Sequence, residues 1–101
     1  MASNRTFHLV NARHAVSDDD VHVDFVNANE LVYGRSERHV TLAAERYIAS
    51  DGAPDGRVVT LVPGLSWSDG TAVTEVDVAA IREDLLAAAG PLQSKMRFSA
   101  A

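Results

Sequence analysis

Residues 74–91 read Thr74-Glu75-Val76-Asp77-Val78-Ala79-Ala80-Ile81-Arg82-Glu83-Asp84-Leu85-Leu86-Ala87-Ala88-Ala89-Gly90-Pro91, and the period of this stretch decides the fold class. Val78, Ile81, Leu85 and Ala88 recur at helical spacing and form one apolar stripe, with Arg82 and Glu83 on the solvent side. Thr74 stands at the N-cap position, and Glu75 and Asp77 suit the positive end of the helix dipole. Asp77 occupies the place where a capping box usually has Glu or Gln, so the match to that motif is partial. Gly90-Pro91 reads as the stop. At about 1.5 Å per residue, a helix from Glu75 to Ala89 is roughly 22 Å long, enough to cross several strands.

Upstream of this helix the period is two. Residues 6–10 read as a strand, with Phe7 and Leu9 on one face and His8 and Val10 on the other. Residues 21–26 give the clearest strand: Val21, Val23 and Phe25 alternate with His22, Asp24 and Val26. The turn signal Asn27-Ala28-Asn29 joins it to Leu31-Val32-Tyr33, which ends at Gly34, as in a hairpin. Residues 38–49 fit two periods, because Leu42 to Arg46 are good helix formers. The alternation of Val40, Leu42 and Ala44 selects a strand. A long loop with two Asp-Gly pairs (residues 51–56) leads to Val58–Val62, which is apolar on both faces, as a central strand beneath a helix would be. The tail from Leu92 is either a frayed end or a last edge strand carrying Met96 and Phe98.

These elements predict an α+β domain: an antiparallel sheet of about five strands with one C-terminal helix packed on one face. A single domain over residues 1–101 is expected, with its core at about 6–90 and flexible ends at 1–5 and 92–101. The second sheet face and the two edges need cover, which predicts a partner or a symmetric homodimer.

Composition excludes several classes of function. The chain has 101 residues and no cysteine, hence no disulfide framework, thiolate nucleophile or thiolate metal site. It is 47% hydrophobic and 23% charged, within the range of a folded globular chain. The net charge is −5, and its scattered basic residues lie mostly beside acids, which argues against nucleic acid as a partner. The N-terminal stretch lacks the apolar run of a signal peptide, and Val58–Ser68 is too short to span a bilayer, so a cytoplasmic location without membrane attachment is expected. The Ala, Val, Arg and Asp bias, with Lys95 the one lysine, is the mark of a GC-rich bacterial genome.

Candidate chemistry centres on His22. Asp20 and Asp24 flank it at strand spacing and would share its face, as a surface metal site or a carboxylate–imidazole pair would require. Same-face neighbours lie about 6.8 Å apart, however, too far for all three to reach one ion without another strand. The plainer reading is the solvated face of a half-buried strand. His8, the nearest further ligand by type, and His14 and His39 have no local ligand pattern around them. Asp18-Asp19-Asp20 lacks the alternating donors and distal Glu of a calcium loop and reads as a turn. There is no phosphate-binding glycine motif, and Gly64-Leu65-Ser66-Trp67-Ser68 departs from the nucleophile elbow at its last residue. No catalytic residue, metal or cofactor is therefore assigned. Trp67, in a turn-rich bridge between the central strand Val58–Val62 and the helix, reads as a lid over the core or as an exposed anchor for a partner.

The run from Val58 to Ala89, with Trp67-Ser68-Asp69-Gly70, then Val73-Thr74-Glu75, then a helix carrying Ile81 and Leu85, resembles the C-terminal half of small immunity proteins of bacterial toxin–immunity systems. The likeness covers about a third of the chain and carries over no site residues. It implies a compact cytoplasmic protein that binds and blocks a cognate protein. The sequence thus leads to a non-enzymatic interaction domain with binding candidates His22, Asp20, Asp24 and Trp67. The alternative is a small metal- or ligand-binding enzyme using His22 and its neighbouring carboxylates.

Overall fold

The computed structural model describes residues 6–35, 37–47, 56–62 and 64–99. Among them the order is β1 (Phe7–Asn11), β2 (His14–Ser17), β3 (His22–Asn27), β4 (Glu30–Arg35), β5 (Arg38–Tyr47), β6 (Gly56–Thr60), α1 (Glu75–Leu92) and β7 (Lys95–Ser99). All seven strands join one sheet in sequence order. The α+β class with one C-terminal helix holds. The count of about five strands and the wholly antiparallel pairing are corrected: β1 to β6 form an antiparallel meander, and β7 pairs parallel to β6. The reversal of direction follows from the connection, because a strand reached through a crossover helix returns parallel to the strand before it.

Two strands account for the difference in count. β2 is short, and its alternation (half-buried His14, buried Ala15, half-buried Val16, buried Ser17) is hidden by small and polar residues. β7 is the tail beyond the helix. It takes the edge-strand form of its two expected readings, pairing along its whole length with β6 and burying Met96. In β5 the residues Val40, Leu42 and Ala44 point inward as the strand period requires. Residues 48–50 lie outside the described residues, as does most of the loop at 51–56.

α1 lies on the inner face of the sheet and packs against β1, β2 and β7. Both edge strands thus meet the same helix, which requires the sheet to curl around it. A twisted sheet can do this, and the curl covers apolar surface that a flat sheet would leave open. Ile81, Leu85 and Ala88 are fully buried, facing a floor that includes Val23, Leu31, Tyr33, Leu42 and Val59. Burying a side chain such as Leu85 contributes about 1.5–3 kcal/mol.

The capping box is complete. Thr74 accepts from the Asp77 N–H, and the Asp77 carboxylate accepts from the Thr74 N–H at 3.0 Å. Aspartate is long enough to close the pair. The helix does not stop at Gly90-Pro91 but continues to Leu92, with Gln93 left-handed (φ 52°) as its cap. Proline in the last turn removes only one hydrogen bond, and the extra turn buries Leu92 in the core. Before the helix, residues 65–73 fold back on themselves. Trp67 N–H donates to Thr71 O, Val73 N–H donates to Leu65 O, and Gly70 takes the positive φ of 90° that the turn needs.

Candidate functional site

The outer face of the sheet carries the sequence-selected residues. Strand period sends Ala15, Val23, Tyr33 and Val40 into the core and leaves His14, His22, Asp24, Gly34, His39 and Thr41 on the other side. Register then assembles them. His14 lies opposite Asp24, His22 opposite Gly34, and Gly34 opposite His39. Gly34 has no side chain to fill the space between two imidazoles. A shallow depression of about 450 Å³ lies there, lined by His14, Asp20, His22, Asp24, Arg38 and His39 among others.

Its polar contacts form a chain. His14 Nε2 lies 2.9 Å from His22 Nδ1, and His22 Nε2 lies 2.8 Å from Asp20 Oδ1. The two rings are tilted by 37° with centroids 5.1 Å apart. His22 and His14 are diagonal neighbours on β3 and β2, because Val16 stands opposite His22; at this spacing ring tips reach each other. Asp20 is not in β3. It sits in the β2–β3 turn with φ 66°, a left-handed conformation that Asp tolerates. Ser17 holds this turn, donating from its hydroxyl to Asp19 and accepting the Val21 N–H. The carboxylate of Asp20 thereby reaches back to the ring of His22, a contact that strand spacing would not allow.

The sequence candidates therefore divide. Asp20 and His22 are in direct contact. Asp24 lines the same depression across from His14. His8 is separated from His22 by Val16 in the β1–β2–β3 row and lies 4.0 Å from Asp18, both side chains well exposed. Trp67 is elsewhere and is not an exposed anchor. It is 3% exposed, donates from Nε1 to Asp77 at 3.3 Å, lies 6.1 Å from the Tyr33 ring and is covered by the Arg38 guanidinium at 4.2 Å. It closes the end of the core where the helix begins. His14 is the residue that sequence reasoning missed. Its only local signal is the alternation His14-Ala15-Val16-Ser17, too short to mark a strand unaided.

Electrostatic perturbations lie mostly away from this face. Burial, and then the hydrogen bond to Asp84, push the Tyr33 hydroxyl far above its ordinary range. The backbone N–H of Thr74 is the first cause holding Asp77 below its usual value. Burial lowers Arg57, which lies over the Phe25 ring at 4.3 Å and donates to Asn27 O and Ala44 O. These groups fasten the fold: a helix cap, a core bond and a guanidinium that covers Phe25 and ties β6 to Asn27 and Ala44. Among the described residues no helix is long and apolar enough to cross a membrane. Compared with protein-family models, with curated proteins and with solved structures, the chain gives no match in any of the three.

Proposed function

We propose that this chain is a small non-enzymatic protein-interaction domain that binds its partner through the outer face of β2–β5 and the β2–β3 turn. The observation that supports the reading is the division of the two sheet faces. The inner face is occupied by α1, whereas the outer face is broad, shallow and polar. Its rim is acidic: Asp18 and Asp20 in the β2–β3 turn are 90% and 85% exposed, and Asp24 lines the depression together with Asp20. On a chain of net charge −5, this rim suits a partner with a basic surface. Binding and blocking a cytoplasmic protein, as the resemblance to immunity proteins implies, is the form of the activity we favour. The test is partner capture from a native extract by the wild type and by a variant carrying Asp18→Lys and Asp20→Lys. A partner retained by the wild type, released by moderate salt and lost in the variant without a change in melting temperature is the expected result. Equal capture by both proteins refutes this surface.

Self-association is the other form of the same reading. Edge strand β1 exposes Leu9 and Val10 at 47% and 58%, and an edge of this kind pairs readily with a second copy. Light scattering that gives only the 10.8 kDa monomer at high concentration refutes the dimer.

A second reading is supported by the Asp20–His22–His14 chain, in which a carboxylate orients one imidazole against another, as in acid–base and ligand sites. His22→Gln separates the two readings, since it destroys this chain and leaves the acidic rim intact.

A further inference from the structure

We propose that His14 and His22 form a binding site for a transition-metal ion that prefers imidazole, Cu2+ or Ni2+, with Asp20 holding His22 in the ligating tautomer. The inference deepens the second reading of this face and is independent of the protein-partner reading.

Asp20 Oδ1 lies 2.8 Å from His22 Nε2. An ionised carboxylate only accepts, so the ring proton of neutral His22 belongs on Nε2, and Nδ1 presents a lone pair. That lone pair points at His14 Nε2, 2.9 Å away. A carboxylate on the far nitrogen of a ligating imidazole is the arrangement that fixes metal-binding histidines and raises their basicity.

Two nitrogens bound at about 2.0–2.1 Å to one ion, at a right angle, lie roughly 2.9 Å apart, whereas a tetrahedral angle spreads them to roughly 3.3–3.4 Å. The observed 2.9 Å is the spacing of neighbouring positions in a square or octahedral shell, the geometry of Cu2+ and Ni2+ with nitrogen and oxygen donors. The same distance suits an N–H···N hydrogen bond. The ion displaces one proton, that of His14 Nε2, and each ring turns by roughly 45° so that the two lone pairs leave the N···N line and converge on the ion.

Among the described residues no group of three or more His, Asp or Glu side chains is arranged to hold an ion. Two nitrogens come from the protein and water fills the other positions, for which the open depression over Gly34 leaves room. A two-donor site disfavours zinc, whose protein sites use three or four ligands, and favours the ions highest in the divalent affinity series. The charged groups around the pair are Asp20, Asp24 and Glu37 against Arg35 and Arg38, so carboxylates outnumber guanidinium groups.

The test uses the metal salts alone. In proton NMR of the wild type near neutral pH, substoichiometric Cu2+ should broaden the ring signals of His14 and His22 first and most strongly, ahead of those of His8 and His39. Ni2+ should raise the melting temperature by binding the folded state, and the rise should be lost in His14→Gln and His22→Gln. Asp20→Asn should weaken Ni2+ binding by about 10–100-fold, the usual cost of removing such a carboxylate. Equal broadening of all four histidines, or a Ni2+ effect that survives His14→Gln, overturns the proposal. If a variant does not fold, the wild-type NMR titration decides. Absence of any metal effect overturns the metal site and leaves the effect of His22→Gln on partner capture to be judged separately.

Discussion

The Tyr33 hydroxyl donates to the Asp84 carboxylate across 2.5 Å, joining the middle of β4 to the buried face of α1. Both residues are fully buried. A carboxylate in a hydrophobic core is costly unless its oxygens are bonded; this bond meets part of that need and sets which face of the helix meets β4.

Tyr33→Phe should therefore destabilise by about 1–3 kcal/mol, since it leaves the Asp84 carboxylate short of a donor in the core. The pH dependence follows from the raised Tyr33 value. An unfolded tyrosine ionises near pH 10, and the folded one ionises higher. Above pH 10 the folded state holds a proton that the unfolded state has lost. The contribution is fully present below pH 10 and falls as pH rises, by up to about 1.4 kcal/mol per pH unit. Urea midpoints measured from pH 9 to 11.5 should fall more steeply for the wild type than for Tyr33→Phe. Parallel curves would count against the bond.

Leu85→Ala should cost about 2–5 kcal/mol, as a fully buried leucine removed from a packed core usually does. In a domain whose total stability is about 5–15 kcal/mol, the urea midpoint should drop visibly. An unchanged midpoint would refute the packing of α1 inside the curled sheet.

Two glycines should answer oppositely to alanine. At Gly56 a new Cβ would lie 2.5 Å from the Tyr47 hydroxyl and 2.6 Å from the Lys95 carbonyl oxygen. The tyrosine can swing away, but the carbonyl belongs to the β7 backbone, so β6 and β7 must part. Gly56→Ala should destabilise by about 1–3 kcal/mol. At Gly34 the nearest atom, His22 Cβ, would be 3.6 Å away, an ordinary contact. Relief of glycine's backbone entropy makes Gly34→Ala neutral or stabilising by up to about 1 kcal/mol. Thermal melts of the two variants under one buffer check the contrast.

Local pattern carries much of this protein. The helix is readable in the spacing of Ile81, Leu85 and Ala88 and in Thr74 with Asp77, because cap and stripe depend on residues within one or two turns of each other. The strands around Val23, Leu31 and Leu42 are readable for the same reason, since alternation is a property of neighbours in the chain. The α+β class followed from these alone.

What lies between distant residues was decided only by the tertiary structure. β2 exists because β3 offers it a hydrogen-bonding edge, and it carries too little apolar periodicity to announce itself; at β7 the sequence left a frayed end or an edge strand open, and the edge of β6 decides for the strand. The helix runs past Pro91 because Leu92 finds a place in the core. His14 gains its meaning from the register that sets it diagonal to His22, and Asp20 from a left-handed turn that bends its carboxylate back to the same ring. Alternation along one strand shows which way a side chain points; which partner it meets depends on pairing and curl, and those are set by the burial of the whole sheet around α1.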